Sequence, residues 1–423
     1  MEQSTVALII TIITIALFIS EKIPMAVVAI LSMVAMAMSG CITYSEAFAG
    51  FSSTAVLMMI GIGIMGKALM VTGFSEKIGQ AFMRINNMTE KKFLILVVAS
   101  SLLISVFLNG IIVIAIFMPI IDSLVLKTGG KISKKNLYLP AGIAALIGGN
   151  LSVIGSTSIL TASGLLEASS FGRGFGFFEP AILGLPACVV LLLFIIIFGT
   201  KPQERFFNFA ETPIEIPETK DPSKNKVTEW KQRFVIGVIV FCAVAWILGF
   251  NYGTIALIGA SLVIIAKCID IKTAMEGVNW SCILVVAGTL GFAKGVEQSG
   301  AGLLITEKLL EICGSFAKSP AAMCVILLFL CTLLSHFMSN TGVICISVPI
   351  ALSIASSLGA EELPFVMTCA MGASFAVATP VCAAAVTVTA AAGYGFKDDL
   401  KYGGILNLLF FIATSIALVL IYF

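Results

Sequence analysis

The chain is 423 residues long, 59% hydrophobic and only 11% charged, with a net charge of +2. That balance excludes an ordinary soluble protein, a disordered scaffold and a nucleic-acid binder, which would need a basic face for phosphates. What remains is a polytopic membrane protein: a transporter, a channel or a membrane-embedded enzyme.

Apolar runs of helix length fall at 5–20, 25–40, 54–72, 93–108, 111–126, 136–165, 178–199, 234–250, 253–267, 282–297, 319–338, 342–358, 364–394 and 402–422. The first has no basic leader and no cleavage-like end, so it reads as a retained membrane helix rather than a signal peptide. A bilayer takes about 20 apolar residues to cross, so several of these runs are too short or too interrupted to be simple spans.

In the third run, Gly61-Ile-Gly-Ile-Met-Gly66-Lys67-Ala68 satisfies GxGxxG literally. A phosphate loop needs a preceding strand and a hydroxyl residue after the lysine; here the run is helical and Ala68 stands in that place. Close helix packing through small residues is the better account, and Lys67 near the helix end is expected to snorkel.

The pair 93–108 and 111–126 is preceded by Lys77, Arg84, Lys91 and Lys92 and followed by Lys127, Lys131, Lys134 and Lys135. Positive charge marks the cytoplasmic side, so both ends lie inside and the pair forms a re-entrant hairpin, about 93–126, with Asn109 and Gly110 at its tip. Irregular backbone at that depth is tolerated only where protein buries it or it lines a wet cavity. The next run, 136–165, is broken by Gly148-Gly149-Asn150-Leu-Ser152-Val-Ile-Gly155-Ser156-Thr157-Ser158, a stretch that frees backbone amides for a carboxylate or other oxyanion.

Residues 200–233 carry Pro202, Pro213, Pro217 and Pro222 among alternating charges and read as a solvated cytoplasmic connector. Beyond it, 319–338 and 342–358 are flanked by Lys318, Glu361 and Glu362 and read as a second hairpin, about 319–358, from the opposite face. Its tip, Ser335-His336-Phe337-Met338-Ser339-Asn340-Thr341, is the most polar segment inside any apolar run. Ser339, Asn340 and Thr341 can present hydroxyl and amide groups to a ligand, or cap the broken helix ends, while freed carbonyls coordinate a small cation. A second break, Ser374-Phe-Ala-Val-Ala-Thr379-Pro380, interrupts 364–394.

With ten spans, two hairpins and both termini outside, lysine and arginine concentrate at Lys22, around the first hairpin, in the connector and at Lys267, Lys272, Lys397 and Lys401. Only Arg173, Lys308 and Lys318 fall outside, which favours this orientation.

The two halves also repeat. Cys41-Ile42 aligns with Cys268-Ile269, Ala47 with Ala274, Gly50 with Gly277, Gly61 with Gly288, Lys67 with Lys294 and Gly73 with Gly300, all at one offset. A neighbouring offset aligns Phe107 with Phe337 and Pro119-Ile120 with Pro349-Ile350, and further on Gly148 faces Gly372. Five spans per half is an odd number of crossings, so the halves, 1–199 and 234–423, are expected to be inverted repeats, the signature of a secondary transporter with a midplane site.

Eleven cysteines without a CxxC pair read as small hydrophobes. His336 is the one histidine and cannot build a metal site alone; a proton-coupling role stands beside simple packing. No nucleophile with an acid-base pair and no metal cluster suggests an enzyme.

These residues resemble the divalent anion:sodium symporters, the dicarboxylate, citrate and sulfate carriers of the ion transporter superfamily. The likeness lies in Phe337-Met-Ser-Asn-Thr341 ahead of Val348-Pro-Ile350, Leu146-Ile-Gly-Gly-Asn-Leu-Ser-Val-Ile-Gly155, Ser163-Gly-Leu-Leu-Glu167, and Ala378-Thr-Pro380 followed by Gly393-Tyr-Gly-Phe396. It implies a scaffold domain, an elevator-like transport domain carrying both hairpins and both broken helices, and a homodimer in the plasma (inner) membrane. It also implies sodium as coupling ion, with no other cofactor, at Asn109, Asn150 and Gly155 and at Ser339, Asn340 and Ala378. Substrate contacts would come from Asn109, Ser156, Thr157, Ser339, Asn340, Thr341 and Thr379.

The chain departs from the family pattern. Gly110 and Ile111 remove two side-chain ligands from the first tip, Ile159 replaces an asparagine, and Ala383-Ala384-Ala385 replaces polar residues after Pro380. The expected function is transport of a small anion, a di- or tricarboxylate or sulfate, with sodium. The alternatives are a cation/proton antiporter or arsenite-type permease depending on His336 or Asp122, and an ion channel.

Overall fold

The computed structural model describes residues 3–20, 22–83, 89–128, 131–209, 229–302, 304, 307–308, 311, 319–379 and 383–423. Among these the regular elements are all helical. The first half comprises α1 (Gln3–Ser20), α2 (Met25–Met38), α3 (Tyr44–Phe48), α4 (Thr54–Val71), α5 (Phe74–Met83), α6 (Glu90–Ser105), α7 (Gly110–Thr128), α8 (Tyr138–Gly148), α9 (Thr157–Glu167) and α10 (Ala181–Phe198). A short α11 (Lys201–Phe206) opens the connector. The second half comprises α12 (Glu229–Ile247), α13 (Tyr252–Ile265), α14 (Ile271–Glu276), α15 (Trp280–Gln298), α16 (Pro320–Ser335), α17 (Asn340–Ser357), α18 (Glu362–Ser374), α19 (Ala384–Thr387) and α20 (Phe396–Tyr422).

Eight segments among the described residues are long and apolar enough to cross a membrane. These eight are not eight of the ten expected spans: they include the hairpin arms α7 and α17, while α2 and α13, 14 residues each, and the broken pairs α8–α9 and α18–α19 fall short of a single crossing helix by length. The two hairpins are α6–α7 and α16–α17, each turning through a few residues, 106–109 and 336–339. The break in 136–165 separates α8 from α9 through a 3₁₀ turn, Gly149–Leu151. The break in 364–394 separates α18 from α19, and Pro380, to which the sequence assigns that break, lies outside the described residues.

One expectation needs correction. The start of the 200–233 connector is not a solvated strand of coil: Gln203 and Phe207 are buried. Phe207 packs its ring on Tyr394 and Tyr402, and Gln203 hydrogen-bonds the Tyr402 hydroxyl at 3.2 Å. The rings of Tyr394 and Tyr402 recruit Phe207 and Phe209, two of the three aromatics of Phe206-Phe207-Asn208-Phe209, which the prolines and charges around them mask in the sequence. Residues 210–228 lie outside the described set.

Small residues set the helix contacts, as expected where lipid supplies no hydrophobic drive between helices. A β-carbon on Gly61 would lie 2.4 Å from Ala256, and one on Gly288 2.7 Å from Ala29. These contacts join α4 to α13 and α15 to α2. Lys67 and Lys294 do more than reach water: Lys67 pairs with Glu276 at 3.7 Å and Lys294 with Glu297 at 3.1 Å.

Candidate functional site

Four helices of eight residues or more, α7, α9, α15 and α17, and the short α19, begin at one place in the interior. The starts of α7 at Gly110, α9 at Thr157, α17 at Asn340 and α19 at Ala384 surround a cavity of about 260 Å3. Asn109, Gly155, Ser156, Thr157, Ser158, Ser339, Asn340 and Thr341 line its polar side, and Ile111, Ala145, Leu146 and Ala383 to Ala385 its apolar side. Among the described residues, no Lys, Arg, Asp, Glu or His is part of the lining. An anion here would be met by helix N-termini, hydroxyls and amides rather than by a cationic side chain.

Buried serines hold each hairpin tip to the loop beside it. Ser105, fully buried, hydrogen-bonds the Ala145 carbonyl, and Ser152 hydrogen-bonds the Val106 carbonyl. In the second half Ser335 Oγ lies 2.6 Å from Ala373 O and 2.8 Å from Asn340 Oδ1, its one proton shared between the two acceptors. Ser158 Oγ and Ser374 Oγ, 3.4 Å apart, connect the two breaks. Orphaned backbone groups at a helix break need such partners, because water is absent at that depth.

The helix starts are not equivalent. Asn109 Oδ1 accepts the Ile111 N–H at 3.0 Å and Ser339 Oγ accepts the Gly342 N–H at 3.2 Å, so α7 and α17 are capped by their own side chains. Ser156, which precedes α9, makes no such cap; its hydroxyl lies 2.9 Å from Ser158 Oγ instead. The first N–H groups of α9 are therefore left without a side-chain acceptor of their own at the cavity.

Among the residues singled out from sequence, Asn109, Gly155, Ser156, Thr157, Ser339, Asn340 and Thr341 come together on the cavity. Asn150, Ala378 and Thr379 do not line it. Asn150 is fully buried with its amide oxygen and nitrogen unpartnered, and its backbone lies against Gly184. Thr379 Oγ1 donates to the His336 carbonyl at 3.1 Å, and Ala378 packs beside Gly403. Ile159 is also buried away from the cavity, whereas the other departures from the family pattern, Gly110, Ile111 and Ala383 to Ala385, line it.

His336 does not reach the cavity either. Its Nδ1 lies 2.7 Å from the Thr332 carbonyl, which can only accept, so Nδ1 carries the proton; Nε2 then accepts from Asn407 Nδ2 at 2.8 Å. Asp122 accepts the Tyr138 hydroxyl at 2.6 Å.

Sequence reasoning missed Asn279 and Cys282, which bring the start of α15 to the cavity. Asn279 Oδ1 caps that helix by accepting the Cys282 N–H at 3.1 Å. The available signal was an asparagine directly before an apolar run, which reads as a cap and says nothing about what the cap faces.

A family model described as "Citrate transporter" matches residues 15–370. The uncharacterized transporter YfbS of Escherichia coli is 33% identical over 138 residues, covering 32% of this chain and 22% of that protein. This chain thus matches about a fifth of that relative's length. The sodium-dependent dicarboxylate transporter SdcS of Staphylococcus saprophyticus is 22% identical over 401 residues, covering 86% of this chain and 75% of that protein. Among solved structures, the Alcanivorax borkumensis YdaH transporter has a similar fold, with a TM-score of 0.63, 14% identity, and coverage of 92% of this chain and 88% of that one.

Proposed function

The chain belongs to the citrate transporter family and is a multi-pass integral membrane protein, and from that premise we propose that it is a secondary transporter moving a small anion together with sodium. The observation that carries the reading is the uncharged, polar-sided cavity at which hairpin tips and broken helices from both halves begin. Asn109, Ser156, Thr157, Ser339, Asn340 and Thr341 hold the substrate in this reading, with Thr379 behind them steadying the second tip.

Sodium as the coupling ion is supported by the name of the SdcS relative and by the crowding of neutral oxygens at the first break. A β-carbon on Gly155 would lie 2.5 Å from Ser105 O and 2.6 Å from Gly149 O. Hard cations favour such oxygen ligands. Asn109, Asn150 and Gly155 would serve one ion and Ser339, Asn340 and Ala378 a second; the buried, unpartnered Asn150 amide is in keeping with the first.

The halves 1–199 and 234–423 act as inverted repeats in this reading. Support comes from exchanged contacts: Gly61 meets Ala256 and Gly288 meets Ala29, each pair being the other with its halves swapped. An elevator movement is supported by the serine ties, which make tips and breaks one body apart from the α2, α4, α13 and α15 scaffold. Ligand and cation binding would then lower the cost of carrying that body across an apolar interface.

The test is anion-dependent entry of 22Na⁺ into proteoliposomes, with citrate, succinate, sulfate and a series of monocarboxylates as the anions. At least one should drive sodium entry above the chloride control. If none does, the transport reading is wrong.

A further inference from the structure

Resting on the anion-transport reading, we propose that the cavity selects a monocarboxylate with a short aliphatic tail over di- and tricarboxylates. The two sides of the cavity differ in kind. Ser156, Thr157 and Ser158 with Ser339 to Thr341 form one wall, and Ile111, Leu146 and Ala383 to Ala385 form the other.

The anionic head belongs at the first wall. There α9 begins without a side-chain cap, and its first N–H groups adjoin hydroxyls at the cavity. The starts of α7 and α17 have their own caps in Asn109 and Ser339. A four-residue α19 adds little field. One anionic group therefore has a well-provided place, and a second has none comparable.

The tail belongs at the second wall. Ile111 is 42% exposed although it stands at an interior hairpin tip, and the space it faces is a cavity. It also lines an adjoining cavity of about 200 Å3, whose other walls include Met59, Ile62, Ile112, Ile154 and Leu160. The two cavities share Asn109, Ile111, Ser156, Thr157 and Asn279, so a chain leaving the head wall can run over Ile111 into an apolar chamber. Beyond those shared residues, between Met59, Ile62, Ile112, Ile154 and Leu160, a carboxylate would be desolvated with no side-chain donor beside it, whereas a methylene would gain by leaving water.

Hexanoate and adipate are matched in length and differ only in the second carboxylate, so they isolate the question. In the 22Na⁺ entry assay, hexanoate should be roughly tenfold more potent than adipate. Potency should rise by about fourfold per methylene from acetate through butyrate until the chambers are full. The thiol of Cys282, on the cavity lining, supplies an independent readout: hexanoate should slow its alkylation and adipate should not.

Ile111→Thr should move the hexanoate-to-adipate ratio at least fivefold toward adipate; if that protein does not fold, Ala384→Ser at the same wall is expected to move it in the same direction. Equal or greater potency of adipate or succinate, or an unchanged ratio in the folded variants, overturns the proposal while leaving anion transport standing. Absence of any anion-driven sodium entry overturns the transport reading itself, and the two failures are distinct.

Discussion

Gly61 lies so close to Ala256 that a β-carbon on it would sit 2.4 Å from both the carbonyl carbon and the carbonyl oxygen, and Gly288 meets Ala29 in the same way across the molecule. Backbone cannot yield as a flexible side chain can. Gly61→Val and Gly288→Val should each cost about 1–3 kcal/mol through overpacking. Thermal unfolding in detergent should show a similar drop in Tm for both; a wild-type Tm in either would mean that the helices have slack there.

Gly155 meets the carbonyl oxygens of Ser105 and Gly149. Gly155→Ala should raise the sodium concentration needed for half-maximal thermal stabilisation by about tenfold or more, since ligand that binds only the folded state stabilises by mass action. Lithium and potassium, tested beside it, separate loss of the ion site from general damage.

Asn340→Ala should abolish anion-driven sodium entry with a loss of stability of only about 1 kcal/mol. Ser335 would keep its bond to Ala373 O, so no buried donor is left unmade. Retained transport in this variant would reduce the second tip to a structural cap.

Much of this architecture could be read directly. The apolar runs 93–108 and 111–126 correspond to the helices α6 and α7, and glycines with hydroxyl residues announced the break between α8 and α9. Such signals are local in the chain. The phase of Ile159 was not legible: two residues after Thr157 on a helix is about 200°, which turns the side chain to the opposite face, away from the cavity and into the core. Neither was the contribution of α15, because Asn279 and Cys282 reach the site only by packing between helices far apart in sequence. Ser335 stood out only as one member of the polar second tip and Ser105 not at all, yet burial makes them the ties of the site.

Lys267 has φ 52° and is the one non-glycine residue with positive φ among the described residues, at the end of α13. Gly40 occupies the corresponding end of α2 with φ 76°. In both places the next N–H closes the helix, Cys268 onto Val263 O and Cys41 onto Met36 O. Lys267→Gly should relieve the left-handed conformation at some cost in unfolded-chain entropy, a net gain of about 0.5 kcal/mol. A small rise in Tm checks it; a fall would mean that the Lys267 side chain does more than endure its backbone.

Glu179, in the loop between α9 and α10, receives both Arg173 Nη atoms at 2.9 and 3.1 Å and the Gly176 N–H at 2.7 Å. Burial pushes its carboxyl up, but the guanidinium and the backbone N–H outweigh that and hold it below the ordinary 4.5. A lowered folded-state value means stabilisation that is present above the unfolded pKa and lost as pH falls through the folded one. The advantage of wild type over Glu179→Gln should thus be present at pH 6 and shrink below about pH 4.5. Arg173 is half exposed, which limits the effect to about 1 kcal/mol.

The last elements of the chain complete a cavity begun near its start. Ala385 packs against Gly110 and Gly142, and the Tyr394 hydroxyl accepts the Leu139 N–H across 255 residues. During synthesis the first hairpin and α8 must therefore wait in the membrane, their glycines facing an unfilled gap, until residues 385 to 394 have been made. Without Ala383 to Ala385 the second wall keeps only Ile111 and Leu146. Competence to hold cargo is thus acquired late, with residues that follow the first hairpin by more than 250 positions.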